Sequence, residues 1–245
     1  MSHFFISSSQ VTGGILTIVG DDVNHMKNVL RMREGERFSA ADELGMCYEC
    51  SVDTLEKHQV TARILETYPG NTELSSKLYL FQGIPKSDKM EWIIQKAVEL
   101  GVYAVVPVMT KRSIVKLDAK KEASKRKRWQ SIAEGAAKQS GRMRIPEIYE
   151  VKTYEEALKM AQMMDVKLIP YECARGMEAT REIFAKINPG MSVGIFIGPE
   201  GGWEETEVEE AKKHQVHPIT LGRRILRTET AGLMTLSVLM YLLET

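Results

Sequence analysis

Apolar and polar positions come in short runs along the first quarter of the chain. His3–Ile6, Ile15–Val19, Arg37–Ala41, Met46–Val52 and Val60–Leu65 each read as a β-strand. Between them lie Gly13-Gly14, Asp21-Asp22, Glu34-Gly35-Glu36 and Leu44-Gly45, residue types that reverse a chain. Five short strands in so few residues predict a small β-barrel. One helical segment interrupts them: Asp21 or Asp22 can cap Val23–Arg31, which ends before Gly35. Turn residues then gather in Thr67-Tyr-Pro-Gly-Asn-Thr-Glu-Leu-Ser-Ser76, where a linker is expected.

Beyond the linker the period changes. Strand-like Lys77–Gln82, Ala104–Val108, Lys167–Ile169, Ser192–Ile197 and His217–Leu221 alternate with helical Asp88–Leu100, Lys120–Gln139 and Glu178–Ile187, an acidic helix after Trp203, and Thr228–Leu243. Strands alternating with helices predict a parallel sheet covered on both faces, so the second part is α/β. The last helix, from Ala231 to Leu243, is apolar nearly all round and is expected to be buried on every side, inside its own domain, against a second subunit, or both.

Composition narrows the class without choosing a function. With 245 residues, 43% hydrophobic and 27% charged, this is an ordinary globular chain long enough for one large domain or two smaller ones. Three cysteines make no disulfide framework, the N-terminus has no signal-peptide pattern, and no apolar run is long enough to span a bilayer. A cytoplasmic location is therefore expected. Formal net charge is zero, but its distribution is uneven. Between Lys111 and Arg144 twelve Lys/Arg, Lys116 among them, face three acids, a local excess of nine positive charges. Such a run either attracts a polyanion or is a solvated helix face. Further arginines at 31, 33, 223, 224 and 227 favour nucleic acid.

Two segments carry candidate chemistry. Ile195-Phe-Ile-Gly-Pro-Glu-Gly-Gly-Trp203 is a strand running into a glycine turn ahead of an acidic helix, a way of presenting backbone amides to a ligand. It lacks the Lys-Ser/Thr of a phosphate loop and the spacing of a dinucleotide fingerprint. Leu221-Gly-Arg-Arg-Ile-Leu-Arg-Thr-Glu-Thr-Ala231 runs from a strand end into a helix start, with Thr228 as N-cap and Glu229 suited to the helix dipole. Three arginines beside a helix N-terminus have no such structural reason. Both segments would lie outside the carboxyl ends of the strands, where α/β folds bind ligands. Cys47-Tyr-Glu-Cys50 is half a zinc site with no second pair, so the cysteines are read as packing residues and no metal is expected.

Taken together, His25-Met-Lys-Asn-Val-Leu-Arg-Met-Arg-Glu-Gly35, Lys96-Ala-Val-Glu-Leu-Gly-Val102, Arg128-Trp-Gln-Ser-Ile132 with Ala136-Ala-Lys-Gln-Ser140, the Ile197–Gly202 turn and the Leu221–Ala231 segment resemble the ribosomal RNA small-subunit methyltransferase E family of the SPOUT class, over essentially the whole length. One departure is Trp203, where a smaller aromatic is expected. The resemblance implies a PUA-like RNA-binding β-barrel over residues 1–70 and a SPOUT α/β methyltransferase domain with a deep trefoil knot over 71–245. It further implies a homodimer through the C-terminal domain, S-adenosylmethionine as donor, and N3 of one uridine in the 16S rRNA of the small ribosomal subunit as acceptor.

On that reading the glycine turn holds a sulfonium donor, which needs close backbone approach at Gly198, Gly201 and Gly202 and no lysine. Ile197, Gly198, Pro199, Glu200, Gly201 and Gly202, with Leu221, Gly222, Ile225, Leu226, Arg227 and nearby Tyr171, are the expected donor-binding residues. Glu200 either faces the positive sulfur or orients the turn. Uracil N3 is protonated at neutral pH, so the proton must be removed or the resulting anion stabilised. Arg227 is the candidate for the second task, with Arg31 as an alternative, and Glu229 is the candidate base. Arg31, Arg33, Lys111, Arg112, Lys125, Arg126, Arg128 and Arg142 are the expected RNA contacts. A SPOUT enzyme acting on ribose 2′-OH or transfer RNA, and an RNA-binding protein without catalysis, remain open alternatives.

Overall fold

The computed structural model describes residues 2–113, 118–174 and 176–244. The chain divides into two compact units: Met1–Glu73 with Ala137–Ile145, and Leu74–Ala136 with Pro146–Thr245. A single cut near residue 70 does not capture this, because Ala137–Ile145 belongs with the first unit.

In the first unit β1 (Ser2–Ile6), β2 (Val11–Thr12), β3 (Ile15–Val19), β4 (Arg37–Asp42), β5 (Met46–Leu55) and β6 (Gln59–Pro69) form one sheet in the order β1-β4-β5-β6-β3-β2. Only β1–β4 is parallel. Phe4 of β1 and Leu16 and Ile18 of β3 come from opposite sides of that order yet share one buried cluster with Phe38, Tyr48 and Val60. The sheet is therefore curled around its core. Strand β6 continues to Pro69 by pairing with the long β5, so the chain leaves the sheet later than its turn residues suggest. The interrupting helix also differs from expectation. Gly20 at φ 75° is its N-cap, Asp21 and Asp22 lie inside the first turn of α1 (Asp21–Asn24), and the chain widens into a π-helical turn over His25–Val29. Leu30 caps that turn, and Arg31 follows in the left-handed region at φ 54°.

The second unit is a seven-stranded, wholly parallel sheet. Its strands are β7 (Lys77–Gly83), β8 (Ala104–Met109), β9 (Glu147–Ile148), β10 (Lys152–Thr153), β11 (Val166–Pro170), β12 (Ser192–Ile197) and β13 (His217–Ile219). The order is β10-β8-β7-β12-β11-β13, with β9 also on β8. Helices α2 (Lys89–Glu99), α3 (Ala119–Ser140), α4 (Tyr154–Ala161), α5 (Met177–Phe184), α6 (Glu205–Lys213) and α7 (Thr228–Leu243) connect or follow them. None of the helices among the described residues is long and apolar enough to cross a membrane. Central strands are near-continuous apolar runs, as a sheet buried on both faces requires, and Phe81 and Phe196 stack on neighbouring strands with centroids 4.4 Å apart. Trp203 is buried against Tyr154, centroids 5.3 Å apart, in the same cluster.

Two expectations change here. Helix α4 and strands β9 and β10 had no counterpart in the sequence reading, although Thr153 and Glu156 form a complete capping box that marks where α4 begins. Within its own domain helix α7 is buried on one face only. Thr228, Gly232, Thr235, Leu236, Leu239 and Leu243 face the sheet and α2, whereas Met234, Val238, Tyr241 and Leu242 stay exposed, Tyr241 at 81%. One helix face fits one sheet face, and none of the described residues covers Tyr241 on the other.

Candidate active site

Four adjacent strands, β7, β12, β11 and β13, deliver their carboxyl ends to the same place, and the segments that follow them wall a cavity of about 560 Å³. That volume suits a small organic ligand. After β12 the chain turns through Gly198–Gly202, closed by the Gly202 N–H donating to the Pro199 carbonyl at 2.9 Å with Gly202 at φ 65°. After β13 it runs irregularly through Gly222, at φ 111°, to α7. Tyr171 follows β11, its N–H donating to Ile219 at 3.0 Å. Tyr171, Ile197, Gly198, Pro199, Glu200, Gly201, Gly202, Leu221, Gly222, Ile225, Leu226 and Arg227 all line this one cavity. So do Arg223 and Arg224 of the same 221–231 segment, and Lys89 and Glu172, which had not been expected at a ligand site.

The glycines are not equivalent. A Cβ on Gly198 would lie 3.1 Å from the Gly202 carbonyl carbon and 3.3 Å from Trp203, so the turn or Trp203 must give by a few tenths of an ångström to take a side chain there. A Cβ on Gly201 would instead meet the side chain of Arg112, at 3.1 Å from its Cβ. Gly201 therefore does not turn its open side to the ligand, and its backbone is what matters: its carbonyl accepts from Arg112 Nη1 at 2.7 Å. A tighter constraint sits outside the turn. A Cβ on Gly83, at the end of β7, would come within 2.8 Å of both N and Cδ of Pro199.

Thr228 does not cap α7. Arg227 occupies the N-cap position without a side-chain bond, and the buried Thr228 hydroxyl donates to the Gly198 carbonyl at 2.6 Å while accepting from Gln82 Nε2 at 2.9 Å. One hydroxyl thus ties β7, the glycine turn and α7 together. The Glu200 carboxylate accepts from the Lys86 N–H at 3.2 Å and pairs with Lys89 Nζ at 3.1 Å. Burial raises its pKa, but hydrogen bonds from its own N–H, Lys89 and Lys86 outweigh that and hold it below the ordinary carboxylate value. These contacts favour turn-orienting for Glu200. Glu229 stands behind Lys89, 3.4 Å from Nζ, and is not itself on the cavity wall; Arg227 is on the wall and exposed.

The basic residues scatter. Arg31 and Arg33 are exposed on the first unit. Lys111 bonds Thr206 and pairs with Glu204, and Arg128 pairs with Glu91 at 2.6 Å. Arg126 Nε donates to the Ile148 carbonyl at 3.0 Å, and Lys125 lies over the Trp129 ring. Lys116 lies outside the described residues. Arg142 corrects the expectation of an RNA contact: it is 3% exposed, its guanidinium forked onto Glu73, which also accepts the Met143 N–H at 3.0 Å. Cys47 and Cys50 are free and buried on β5, with Cys47 Sγ 3.1 Å from Met143 Sδ.

Residues 72–240 match the family model for an RNA methyltransferase domain, and residues 18–65 that for an RNA methyltransferase PUA domain. A Bacillus subtilis protein named ribosomal RNA small subunit methyltransferase E is 40% identical over 231 residues, 93% of this chain and 90% of the relative. A Mesomycoplasma hyopneumoniae protein of the same name is 36% identical, over 97% and 98%. Among solved structures, a putative methyltransferase from Legionella pneumophila in complex with the bound cofactor SAM superposes with a TM-score of 0.86 at 33% identity, over 98% and 96% of the two chains. A ribosomal RNA small subunit methyltransferase E from Neisseria gonorrhoeae bound to S-adenosyl methionine does so at 0.84 and 33%, over 99% and 98%.

Proposed function

Because the chain belongs to the ribosomal RNA small subunit methyltransferase E family, we propose that it transfers a methyl group from S-adenosylmethionine to N3 of one uridine in 16S rRNA. The observation that carries this reading is the convergence of four strand ends on one cavity walled by the Gly198–Gly202 turn and the 220–227 segment. Backbone groups can approach such a ligand closely there, as a donor held mainly through the main chain requires.

The bound donor supplies an electrophilic methyl on a sulfonium. The chain's own residues do the rest. The 197–202 turn and the 220–227 segment hold the donor through backbone groups, with Tyr171 at the side. Arg227, exposed on the cavity wall, faces the acceptor and stabilises negative charge on the uracil oxygens. Fixing both reactants in line contributes on the order of 7–11 kcal/mol at best. The uridine enters unstacked. Curled-sheet arginines 31 and 33 and the exposed part of α3 supply phosphate contacts. A homodimer forms through the exposed stripe Met234, Val238, Tyr241 and Leu242, extended by exposed Trp92 on α2, the element α7 packs against. A trefoil knot accompanies this fold, with α7 threaded past the segment before it.

The test is product analysis. Small-subunit rRNA from cells lacking the gene is digested and examined by mass spectrometry before and after restoration, and by primer extension. A methyl on N3 blocks Watson–Crick pairing and stops reverse transcriptase one nucleotide early at ample nucleotide concentration. A 2′-O-methyl leaves that edge intact, so read-through past a methylated uridine refutes N3.

A further inference from the structure

Lys89 stands where helix physics disfavours it. It is the first residue of α2, where unpaired N–H groups carry partial positive charge. Two carboxylates from distant segments compensate: Glu200 on the glycine turn, 3.1 Å from Nζ, and Glu229 in the first turn of α7, at 3.4 Å. The approach to Lys89 is also constrained. The Lys86 N–H is held by Glu200, and Ser87 takes φ 57°, a conformation costly for a residue with a side chain. Glu229 Oε2 is buried with no hydrogen-bond partner, so its nearest compensation is the Lys89 charge. Of the three, Lys89 and Glu200 reach the cavity wall. An ammonium has three N–H groups; the two carboxylates engage two sides of it and leave one for the cavity.

We propose that Lys89 is a catalytic residue of the methyl transfer, donating its remaining N–H to a carbonyl oxygen of the acceptor uracil and stabilising the anion left when N3 loses its proton. Glu200 and Glu229 are positioning residues that fix the ammonium. The assignment rests on the reading of the acceptor atom as uracil N3. In the transfer the N3–H bond breaks and its proton leaves to water. The electron pair on N3 forms the bond to the methyl carbon, and the carbon–sulfur bond breaks with its pair returning to sulfur, turning a sulfonium into a neutral thioether.

Single-turnover methylation of small subunits from cells lacking the gene is measured against pH for wild type, Lys89→Met and Lys89→Arg, alongside calorimetric titration with S-adenosylmethionine and thermal melting. Lys89→Met is expected to lose on the order of a hundredfold in rate at neutral pH and to move its pH–rate profile about one unit or more to the alkaline side. Lys89→Arg keeps the wild-type midpoint. Donor affinity stays within about threefold, while Tm falls because Glu200 and the buried Glu229 lose their shared cation. Should Lys89→Met fail to fold, Lys89→Gln replaces it. A profile parallel to wild type, or loss of donor binding, overturns the assignment. A wild-type product methylated at an atom other than N3 overturns the acceptor reading instead.

Discussion

Gly83→Ala tests whether the shape of the glycine turn controls ligand binding. The added methyl would start 2.8 Å from Pro199 N and Cδ and 3.1 Å from the Gly198 carbonyl carbon. Carbon contacts relax at about 3.5–4.0 Å, so the turn or β7 must give way by roughly 1 Å. Neither moves freely. The turn is held by the Gly202 N–H on Pro199 and by Thr228 on Gly198, and β7 is a central strand hydrogen-bonded on both sides. Overpacking of this kind costs about 1–3 kcal/mol. If the turn yields, and the ligand binds only the original shape, that strain appears as a loss of about fivefold to 150-fold in affinity at 1.4 kcal/mol per tenfold.

Calorimetry with S-adenosylmethionine and a melting curve read the two ways the strain can be relieved. Strain retained in the fold lowers Tm by about 2–4 °C per kcal/mol for a protein of this size; strain released by the turn weakens binding. Gly135→Ala is the control. Gly135 lies exposed within α3 with nothing within 4 Å of the added methyl, and alanine there favours the helix by about 0.5–1 kcal/mol. Wild-type affinity together with a wild-type melting curve for Gly83→Ala would show that the turn adapts at no cost, and the argument from its geometry would fail.

Four further outcomes follow from the same structure. Glu200 has a depressed pKa, so its stabilising contribution is present above the ordinary value of 4.5 and is lost as pH falls through the lower folded value; the Tm gap between wild type and Glu200→Gln should be full near neutrality and close below about pH 4.5, and a pH-independent gap refutes the pairing. Burial pushes the Cys50 thiol up to about 12 and raises Cys47, while Cys173 is exposed; a thiol reagent at pH 8 should find one fast equivalent, and three after unfolding, and a second fast equivalent would contradict the burial of β5. Arg142→Ala should lower stability by about 3 kcal/mol by stranding Glu73 with RNA affinity unchanged, whereas replacing Lys125, Arg126, Lys127 and Arg128 with Ser should flatten the salt dependence of RNA binding by about one to two in slope; an unchanged slope makes α3 a solvated face.

What was legible in the sequence was what repeats at a fixed local period or sits in a short contiguous motif. Strands Ile15–Val19 and Ser192–Ile197 and helix Thr228–Leu243 have the expected bounds, because each is an uninterrupted apolar or periodic run closed by strong turn residues. The glycine turn and the 221–227 segment could be assigned to one place because strand polarity sends both to the same edge of a parallel sheet. Strand β10 escaped because two residues have no period, and α4 because its amphipathic run, Tyr154–Ala161, is barely two turns long, although its capping box marks the start. The open face of α7 escaped for a different reason: an all-apolar helix says that something covers each side, but not whether the chain itself does.

Side-chain roles were least legible where one group serves several segments. Thr228 matched an N-cap by position, yet its hydroxyl bridges Gln82 and Gly198, partners 146 and 30 residues away. Arg142 matched a phosphate contact by charge, yet Glu73 takes its guanidinium out of solvent. Glu200 and Glu229 looked like independent candidates, one for the sulfonium and one for the base, and Lys89 looked like nothing in particular. In the fold the two acids share that one cation. Removing Glu200 therefore frees the Lys86 N–H and shifts the charge balance at Lys89 and Glu229 as well, so a loss of activity in Glu200→Ala says little about contact with sulfur. Groups coupled in this way respond non-additively. The informative comparison is Glu200→Gln with Lys89→Met, singly and together: if both act through the same ammonium, the double variant should be scarcely slower than Lys89→Met alone.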